Sequence, residues 1–342
     1  MTTLHEYLSE SIVSAKFHDT NLLQQHWQYP GGCTNAVGQV GTVLVHRPGD
    51  EMTELQKGHY EPSVGAFVLR DRDGHILAYS LSEGPPDIER MQEEHDALTK
   101  ALHAAGADVI DVHLGDGFIN QVFMRDIGMV VPGGIVLSRF ALGMRYGETA
   151  GALKSIVNLG MPVLGMIQGD GFVEGGSFTV LDRNTAIVGR SVRVNDIGIH
   201  QLREILSWQG MDLMVVDIPA CLIHLDEAFV LLDTDKALMN PELLPHWFIH
   251  EMQSRGIEMI AVHPNDPPMA NNFLTVSPGK VVFGASGFRT MEILASRGVE
   301  VIPVDVSEIN KLGGGIHCAT LELGREDVPS NPRRARSQTI LQ

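Results

Sequence analysis

Short apolar runs and stretches of helical period alternate along the chain, and from about residue 60 their order repeats. In each unit two apolar runs flank a polar turn, a helix follows, and another apolar run closes the unit. The clearest hairpins are predicted over residues 178–188, 228–238 and 273–283. Their turns are rich in Asp, Asn, Pro and Gly, which supply local hydrogen bonds or tolerate positive φ. The pattern therefore predicts an α/β protein built from repeated hairpin-helix-strand units.

A glycine stands at the end of each predicted helix. The helices are expected over residues 89–105, 148–159, 197–209, 244–255 and 288–297, and the glycines that end them are Gly106, Gly160, Gly210, Gly256 and Gly298. Glycine is favoured there because many helices end in the left-handed conformation. A short buried strand is predicted after each of these glycines.

Five similar units of roughly 50 residues indicate a repeat architecture. No linker divides them, so we expect a single α/β domain over residues 36–323, an N-terminal extension over 1–35 and a flexible C-terminal tail over 324–342. Repeats that mix hairpins with helices favour closure into a ring, because an open array would leave its end units uncapped. Residues 43–46 are expected to supply an early strand that completes the first unit.

Composition and charge narrow the range of functions. The chain has 44% apolar residues and a net charge of −17, so it has ample core material but lacks the basic face that nucleic-acid binding needs. No apolar run is long enough to suggest a membrane span. We expect a cytoplasmic protein with a small-molecule ligand and without nucleic-acid or membrane partners. The sequence leaves open whether the chain forms a homo-oligomer.

The cysteines are too few and too scattered for a disulfide framework, and no CxxC pair suggests a zinc site. Cys33 and Cys221 are interpreted as small structural residues. Cys318 differs because it follows Gly313-Gly314-Gly315 and is adjacent to His317, and glycines let the backbone approach a ligand closely. Cys318 is therefore the candidate nucleophile.

Polar residues recur at one position of the repeat. Counting 14 to 20 residues forward from each helix-ending glycine reaches, in chain order, Asn120, Glu174, His224, Asn271 and Cys318. In a ring these positions would surround one axis. The set contains a thiol, an imidazole and a carboxylate, which are the groups that covalent catalysis requires. The alternative, five unrelated polar loop residues, is disfavoured by the shared offset.

Further carboxylates and arginines add to this set. Strand alternation would place His224 and Asp226 on one face, so that the carboxylate could orient the imidazole or bind a cation. Asp126 lies six residues beyond Asn120. Carboxylates around a cysteine suit a guanidinium, whose five N–H donors they match. Arg145 and Arg193 are candidates for pairing a substrate carboxylate.

Four motifs resemble the guanidino-group modifying enzymes, a superfamily that includes arginine deiminases, dimethylargininases, agmatine deiminases and amidinotransferases. The motifs are Phe123-Met124-Arg125-Asp126, Glu174-Gly175-Gly176, His224-Leu225-Asp226 and Gly314-Gly315-Ile316-His317-Cys318-Ala319-Thr320. The resemblance covers about residues 36–323. It implies the pentein fold, a five-bladed pseudo-symmetric α/β propeller, which agrees with the number of repeats.

The resemblance also implies roles for single residues. Cys318 would be the nucleophile and His224 the general acid and base. Asp126 and Asp226 would hold the guanidinium, with the assistance of Glu174. The residues predicted to bind the rest of the substrate are Asn120, Phe123, Arg145, Arg193 and Gly315. No metal or organic cofactor is implied, since thiolate and imidazole suffice for the reaction.

The sequence thus predicts a cysteine-dependent hydrolase of the arginine deiminase type. It would convert arginine or a related guanidino acid to a ureido product and ammonia through a covalent amidino-cysteine intermediate. An amidinotransferase, an arginine dihydrolase and a dimethylargininase on the same scaffold remain alternatives. A non-catalytic binder of a cationic metabolite is the alternative from a different class, and it would not need a thiol.

Overall fold

Strands and helices alternate through residues 3–12, 15–29 and 32–329, which the structure, a computed structural model, describes. The helices are α1 Leu4–Ser9, α2 Thr20–Trp27, α3 Met52–Leu55, α4 Ile88–Ala104, α5 Glu148–Asn158, α6 Asp196–Trp208, α7 His246–Ser254, α8 Phe288–Ser296 and α9 Ser307–Asn310. The strands are β1 Thr42–Val45, β2 His59–Glu61, β3 Ala66–Arg70, β4 Ile76–Ser80, β5 Asp108–Asp111, β6 Gly128–Val131, β7 Gly134–Leu137, β8 Val163–Met166, β9 Phe178–Asp182, β10 Thr185–Arg190, β11 Asp212–Asp217, β12 Phe229–Asp233, β13 Lys236–Met239, β14 Glu258–Ala261, β15 Leu274–Ser277, β16 Lys280–Gly284, β17 Glu300–Val304 and β18 Leu321–Glu322. This content confirms the predicted mixed α/β class.

Four consecutive sheets have the same topology. In each, two strands form an antiparallel hairpin, a helix follows, and a third strand pairs in parallel with the second strand of the hairpin. The sheets are β6-β7-β8, β9-β10-β11, β12-β13-β14 and β15-β16-β17. The hairpins predicted from turn residues and the strands predicted after the helices are therefore confirmed.

A fifth sheet brings early and late parts of the chain together. Strand β1 pairs in parallel with β5 and antiparallel with β18, which gives the order β18-β1-β5. This sheet repeats the topology of the other four, with helix α4 preceding its third strand. The strand predicted at residues 43–46 is confirmed.

The pattern beginning near residue 60 needs one correction. Residues 59–80 form a separate antiparallel sheet, β2-β3-β4, with no parallel strand. The first repeat instead takes its central strand from residues 42–45. Tyr79, on strand β4, lines a cavity together with Cys318.

The helix ends follow the predicted glycines. The five repeat helices end within two residues of each glycine, and the glycine φ angles lie between 75° and 90°. A residue with a Cβ is strained in this left-handed region, so glycine is the residue that best permits each turn into the next strand.

Residues on both sides of the predicted 36–323 domain contact it. Tyr29 donates a hydrogen bond to the carbonyl of Leu323, and Cys33 is buried. Arg325 donates to the carbonyl of Gly38 over 2.8 Å. Residues 324–329 of the predicted flexible tail thus include ordered contacts, and residues 330–342 lie outside the described part. Within the described residues, each helix is too short or too polar to cross a bilayer.

One buried histidine predicts an acid-sensitive fold. His95 on α4 is 2% exposed, and neither of its ring nitrogens has a hydrogen-bond partner among the described residues. Burial lowers the pKa of His95 to about 4, although the neighbouring carboxylates of Asp111 and Asp96 oppose this. Because the unfolded side chain binds a proton near pH 6.5, the unfolded state gains the advantage as the pH falls from about 6.5 to about 4.

We expect His95→Leu to remove part of this acid sensitivity. Between pH 7 and pH 5, the free energy of unfolding of the unaltered protein should fall by about 2 kcal/mol more than that of the variant. Urea titrations at the two pH values measure the difference. Equal losses in both proteins would contradict the assignment.

Candidate active site

Many of the predicted polar residues lie in or next to short 3-10 turns that lead into the hairpins. The turns are Ile119–Val122, Met124–Ile127, Gly175–Ser177, Leu225–Glu227 and Pro268–Asn271. Glu174 and His224 each immediately precede one of them. Because each turn occupies the same place in its unit, the sequence offset translates into proximity in space.

A small cavity lies where several of these turns meet. Its lining comprises Tyr79, Asn120, Phe123, Asp126, Met144, Arg145, Arg193, Ile223, His224, Leu312, Gly313, Gly314 and Cys318. Seven predicted site residues are thus brought around one cavity. Glu174 and Asp226 are buried behind this lining and contact His224 and Cys318, and Gly315 is buried against Asn272.

Cys318 is a buried thiol with two polar neighbours. Its Sγ lies 3.1 Å from Nδ2 of Asn272 and 3.7 Å from Oδ2 of Asp226. Burial, followed by the charges of Asp226 and Asp126, raises the pKa of this thiol well above its usual range. The sulfur is therefore protonated in the free protein at neutral pH, and a cation in the cavity would favour the thiolate.

His224 lies between two carboxylates. Its Nε2 is 2.9 Å from Oε2 of Glu174, and its Nδ1 is 3.5 Å from Oδ1 of Asp126. Burial disfavours the imidazolium, but the charges of Asp126 and Glu174 outweigh burial and raise the pKa of His224. The ring is therefore charged at neutral pH and carries a proton that it can donate.

The relation of His224 to Asp226 needs a correction. Residues Leu225–Glu227 form a 3-10 turn rather than the start of a strand, so strand alternation does not align the two side chains. The turn nevertheless brings the side chains of His224 and Asp226 close to the cavity.

Glycine is required at position 176 next to His224. An added Cβ on Gly176 would lie 2.6 Å from Nδ1 of His224.

Glu174 links three parts of the site. Its Oε1 accepts from the backbone N–H of Ala141 over 3.0 Å, and its Oε2 accepts from Nη1 of Arg193 over 3.0 Å. Burial would raise the pKa of Glu174, but the hydrogen bond from His224, with the charges of His224 and Arg193, lowers it. Glu174 is therefore a carboxylate that fixes the imidazole and one arginine.

Most of the N–H groups of Arg145 donate hydrogen bonds to acceptors within the protein. It pairs with both oxygens of Glu148 through Nε and Nη2, donates to Asp126 through Nη1, and donates to the carbonyl of Phe123. Its guanidinium also stacks over Phe140 at 4.4 Å. Four of its five N–H groups are thus engaged, which differs from the predicted pairing with a substrate carboxylate.

Asp226 keeps one oxygen available. Its Oδ2 accepts from Nδ1 of His317 over 2.7 Å. Its Oδ1 is buried and has no hydrogen-bond partner among the described residues. A buried oxygen without a partner is costly, so a ligand N–H placed beside it would be strongly favoured.

Some contacts were missed from the sequence. The offset count reached Asn271, whose Nδ2 donates to the carbonyl of Asp226, but the residue that touches the nucleophile is the adjacent Asn272. The spacing in the sequence could have predicted the pairing of Arg145 with Glu148, since residues three apart in a helical turn are neighbours. Tyr79 gave no signal because it lies outside the repeat.

Asp126, Glu174 and His224 could also hold a metal ion. Their ligand atoms all lie within 4.8 Å of one another. Each group already has a hydrogen-bond or charged partner, which a metal ion would have to displace. That the protein needs no metal or other cofactor stays a prediction.

The chain was compared with known families once this geometry was established. Residues 83–325 match the sequence profile of a family described as N,N dimethylarginine dimethylhydrolase, eukaryotic. The chain belongs to this family. Membership in the dimethylarginine dimethylhydrolase family confirms the predicted superfamily and the predicted enzyme class, a hydrolase of guanidino C–N bonds.

Individual relatives fall within the same superfamily of guanidino-group modifying enzymes. N(G),N(G)-dimethylarginine dimethylaminohydrolase from Pseudomonas aeruginosa is 27% identical over 238 residues, which cover 70% of this chain and 90% of that protein. Arginine deiminase from Mycoplasma capricolum is 23% identical and covers 85% of this chain and 96% of its own length.

A solved structure shares the fold. Dimethylarginine dimethylaminohydrolase from Pseudomonas aeruginosa, complexed with citrulline, superposes with a TM-score of 0.67 and 24% identity. The match covers 83% of this chain and all of that one. The pentein-type α/β fold implied by the motifs is therefore supported by a structure as well as by sequence.

Proposed function

We propose that the protein hydrolyses the guanidino group of a guanidino amino acid, arginine or an N-methylated arginine, to a ureido product. The observation that carries this proposal is the buried, unpartnered Oδ1 of Asp226, whose other carboxylate oxygen lies 3.7 Å from Sγ of Cys318. A guanidinium N–H placed there would satisfy that oxygen and bring the guanidinium carbon towards the sulfur.

The charge balance of the cavity favours a cationic ligand. Asp126 lines the cavity, Glu174 and Asp226 lie directly behind its lining, and Glu148 lies behind Arg145. Two arginines and one imidazolium oppose these four carboxylates, which leaves a net negative charge. A guanidinium would neutralise it, whereas an anionic ligand would be repelled.

The first chemical step is displacement at the guanidinium carbon. As the cation binds, the Cys318 thiol loses its proton, and Asp226 at 3.7 Å is the acceptor within reach. The sulfur attacks the carbon and forms a C–S bond. His224 then donates its proton to the leaving nitrogen, the C–N bond breaks, and ammonia or a methylated amine departs.

The second step is hydrolysis of the amidino-cysteine intermediate. Neutral His224, held by Glu174 over 2.9 Å, removes a proton from water. The resulting hydroxide adds to the carbon, and the C–S bond breaks to release the ureido product and the thiolate. The imidazole regains its proton in this step, and the proton held by Asp226 returns to the Cys318 thiolate. The ureido product, released protonated, gives its extra proton to the departed ammonia or amine, so the catalytic cycle closes without a further reactant.

The far end of the substrate is assigned to Arg193. Its Nη1 donates to Glu174, and the side chain lines the same cavity as Cys318. Since Arg145 is largely engaged with Glu148 and Asp126, we assign the substrate carboxylate chiefly to Arg193. Asn120 and Phe123 complete the wall on this side.

The architecture, location and assembly belong to the same proposal. Five sheets of one topology, with early and late strands joined in β18-β1-β5, support closure into a five-bladed propeller. Residues 36–323 would form this domain. A cytoplasmic location and a homo-oligomer stay predictions.

A substrate panel tests the function. We expect arginine or its methylated derivatives to be converted to citrulline, and agmatine to be slower by at least about a hundredfold in kcat/KM, because it lacks the carboxylate that would pair with the N–H groups of Arg193 not bonded to Glu174. Assays of ureido product and of the released amine identify the leaving group. Equal turnover of agmatine would contradict the carboxylate assignment.

Arg193→Ala should erase most of this preference by slowing the amino acids more than agmatine. Arg203→Ala, at an exposed position on α6, is the matched control and should leave the ratio unchanged. Formation of an amidino-transfer product in the presence of added amines would favour the amidinotransferase alternative instead.

A further inference from the structure

Asn272 makes two contacts with the same residue. Its Nδ2 lies 3.1 Å from Sγ of Cys318, and its Oδ1 accepts the backbone N–H of Cys318 over 3.1 Å. The second bond fixes which end of the amide faces the sulfur, because only the oxygen can accept from an N–H. The NH₂ group is therefore aimed at the thiol.

The glycine run makes room for this amide. A Cβ on Gly315 would lie 2.8 Å from Oδ1 and 3.1 Å from Cβ of Asn272. Asn272 is 2% exposed, so water does not compete for its polar atoms. The packing thus holds the Asn272 side chain on the backbone and sulfur of Cys318.

We propose that Asn272 is a positioning residue for the reaction, whose amide orients the Cys318 sulfur and donates a hydrogen bond to it as negative charge develops. The proposal rests on the proposed function in that Cys318 is the nucleophile. An amide donor is suited to this place because it stabilises the thiolate more than the thiol and adds no charge that would repel a cationic substrate.

Charged groups around the Cys318 sulfur act on the same thiol–thiolate equilibrium as the Asn272 amide. Asp226, Asp126 and Glu227 disfavour the thiolate. His224 shares the cavity, and His317 is bonded to Asp226. Because several carboxylates oppose ionisation, the loss of a single neutral donor should be visible in the pH dependence of thiol reactivity.

The test is alkylation of Cys318 in the full chain by chloroacetamidine, followed by peptide mass spectrometry. The thiolate sulfur displaces chloride and forms a thioether, so the rate reports the thiolate. Asn272→Asp keeps the acceptor for the Cys318 N–H but loses the donor, and Asn272→Leu loses both. We expect both variants to react about tenfold or more slowly at pH 8, with the midpoint of the rate profile raised by about one pH unit or more.

Controls separate this effect from unfolding and from failure of the proposed function. Cys221 is exposed in the same chain, and its alkylation rate should not change. Asn184→Asp, in an exposed turn, should leave the Cys318 profile unaltered. Alkylation needs no substrate, so the outcome is independent of the substrate panel. An unchanged midpoint in both folded Asn272 variants would overturn the proposal.

Discussion

Cys318→Ala is expected to abolish turnover, lowering kcat by about four orders of magnitude or more. The thiol is the group in the cavity that can form a covalent bond to the guanidinium carbon, and it lies 3.7 Å from Asp226, which can accept its proton. Alanine removes the sulfur while leaving the backbone bond to Asn272 in place. The fold should therefore persist, and circular dichroism with thermal unfolding measures this.

The other cysteines provide the contrast. Cys221→Ala should retain nearly full activity, because this side chain is exposed and away from the cavity lining. Burial raises the pKa of Cys33 to about 12, so it stays an unreactive thiol. Citrulline formation by purified Cys318→Ala above the rate without enzyme would exclude the covalent mechanism.

Asp226→Asn should lower kcat/KM by roughly thirty- to several-thousandfold, which corresponds to the loss of one partner of a buried charge pair, about 2–5 kcal/mol. The substitution preserves shape but removes the charge that the free Oδ1 offers to a guanidinium. It also weakens the bond to His317 and removes the acceptor nearest to the thiol.

Steady-state kinetics with the preferred guanidino substrate check this expectation. Both KM and kcat should change, since Asp226 is assigned to binding and to the thiol proton. Asp212→Asn, at the exposed start of β11, is the matched control and should leave both values intact. An unchanged kcat/KM for Asp226→Asn would place the cation elsewhere in the cavity.

The repeat could be predicted from the sequence because its signals are local. A helix-ending glycine and a turn rich in Asp, Asn or Gly fix backbone conformation within a few residues, and such preferences survive in the folded protein. Equal offsets from Gly106, Gly160 and Gly210 then identified Asn120, Glu174 and His224 as residues that share one place in each unit.

Contacts that depend on packing between units could not be predicted from these local sequence signals. The offset count stopped at Asn271, one residue before the amide that touches Cys318, because the exact alignment of the fourth unit follows from its tertiary packing. Arg145 was interpreted through its charge alone. Its partner Asp126, 19 residues away along the chain, becomes visible only when the turns are brought together.

The sheet β18-β1-β5 has a consequence for synthesis of the chain. Strand β1 leaves the ribosome early, but its antiparallel neighbour β18 follows almost the whole domain. Until then one edge of β1 has no partner in its sheet, and an open strand edge invites aggregation. Cys318 lies three residues before β18. A single late step in the folding of this domain therefore covers the open edge of β1 and installs the reactive sulfur, so that a chain lacking β18 has neither.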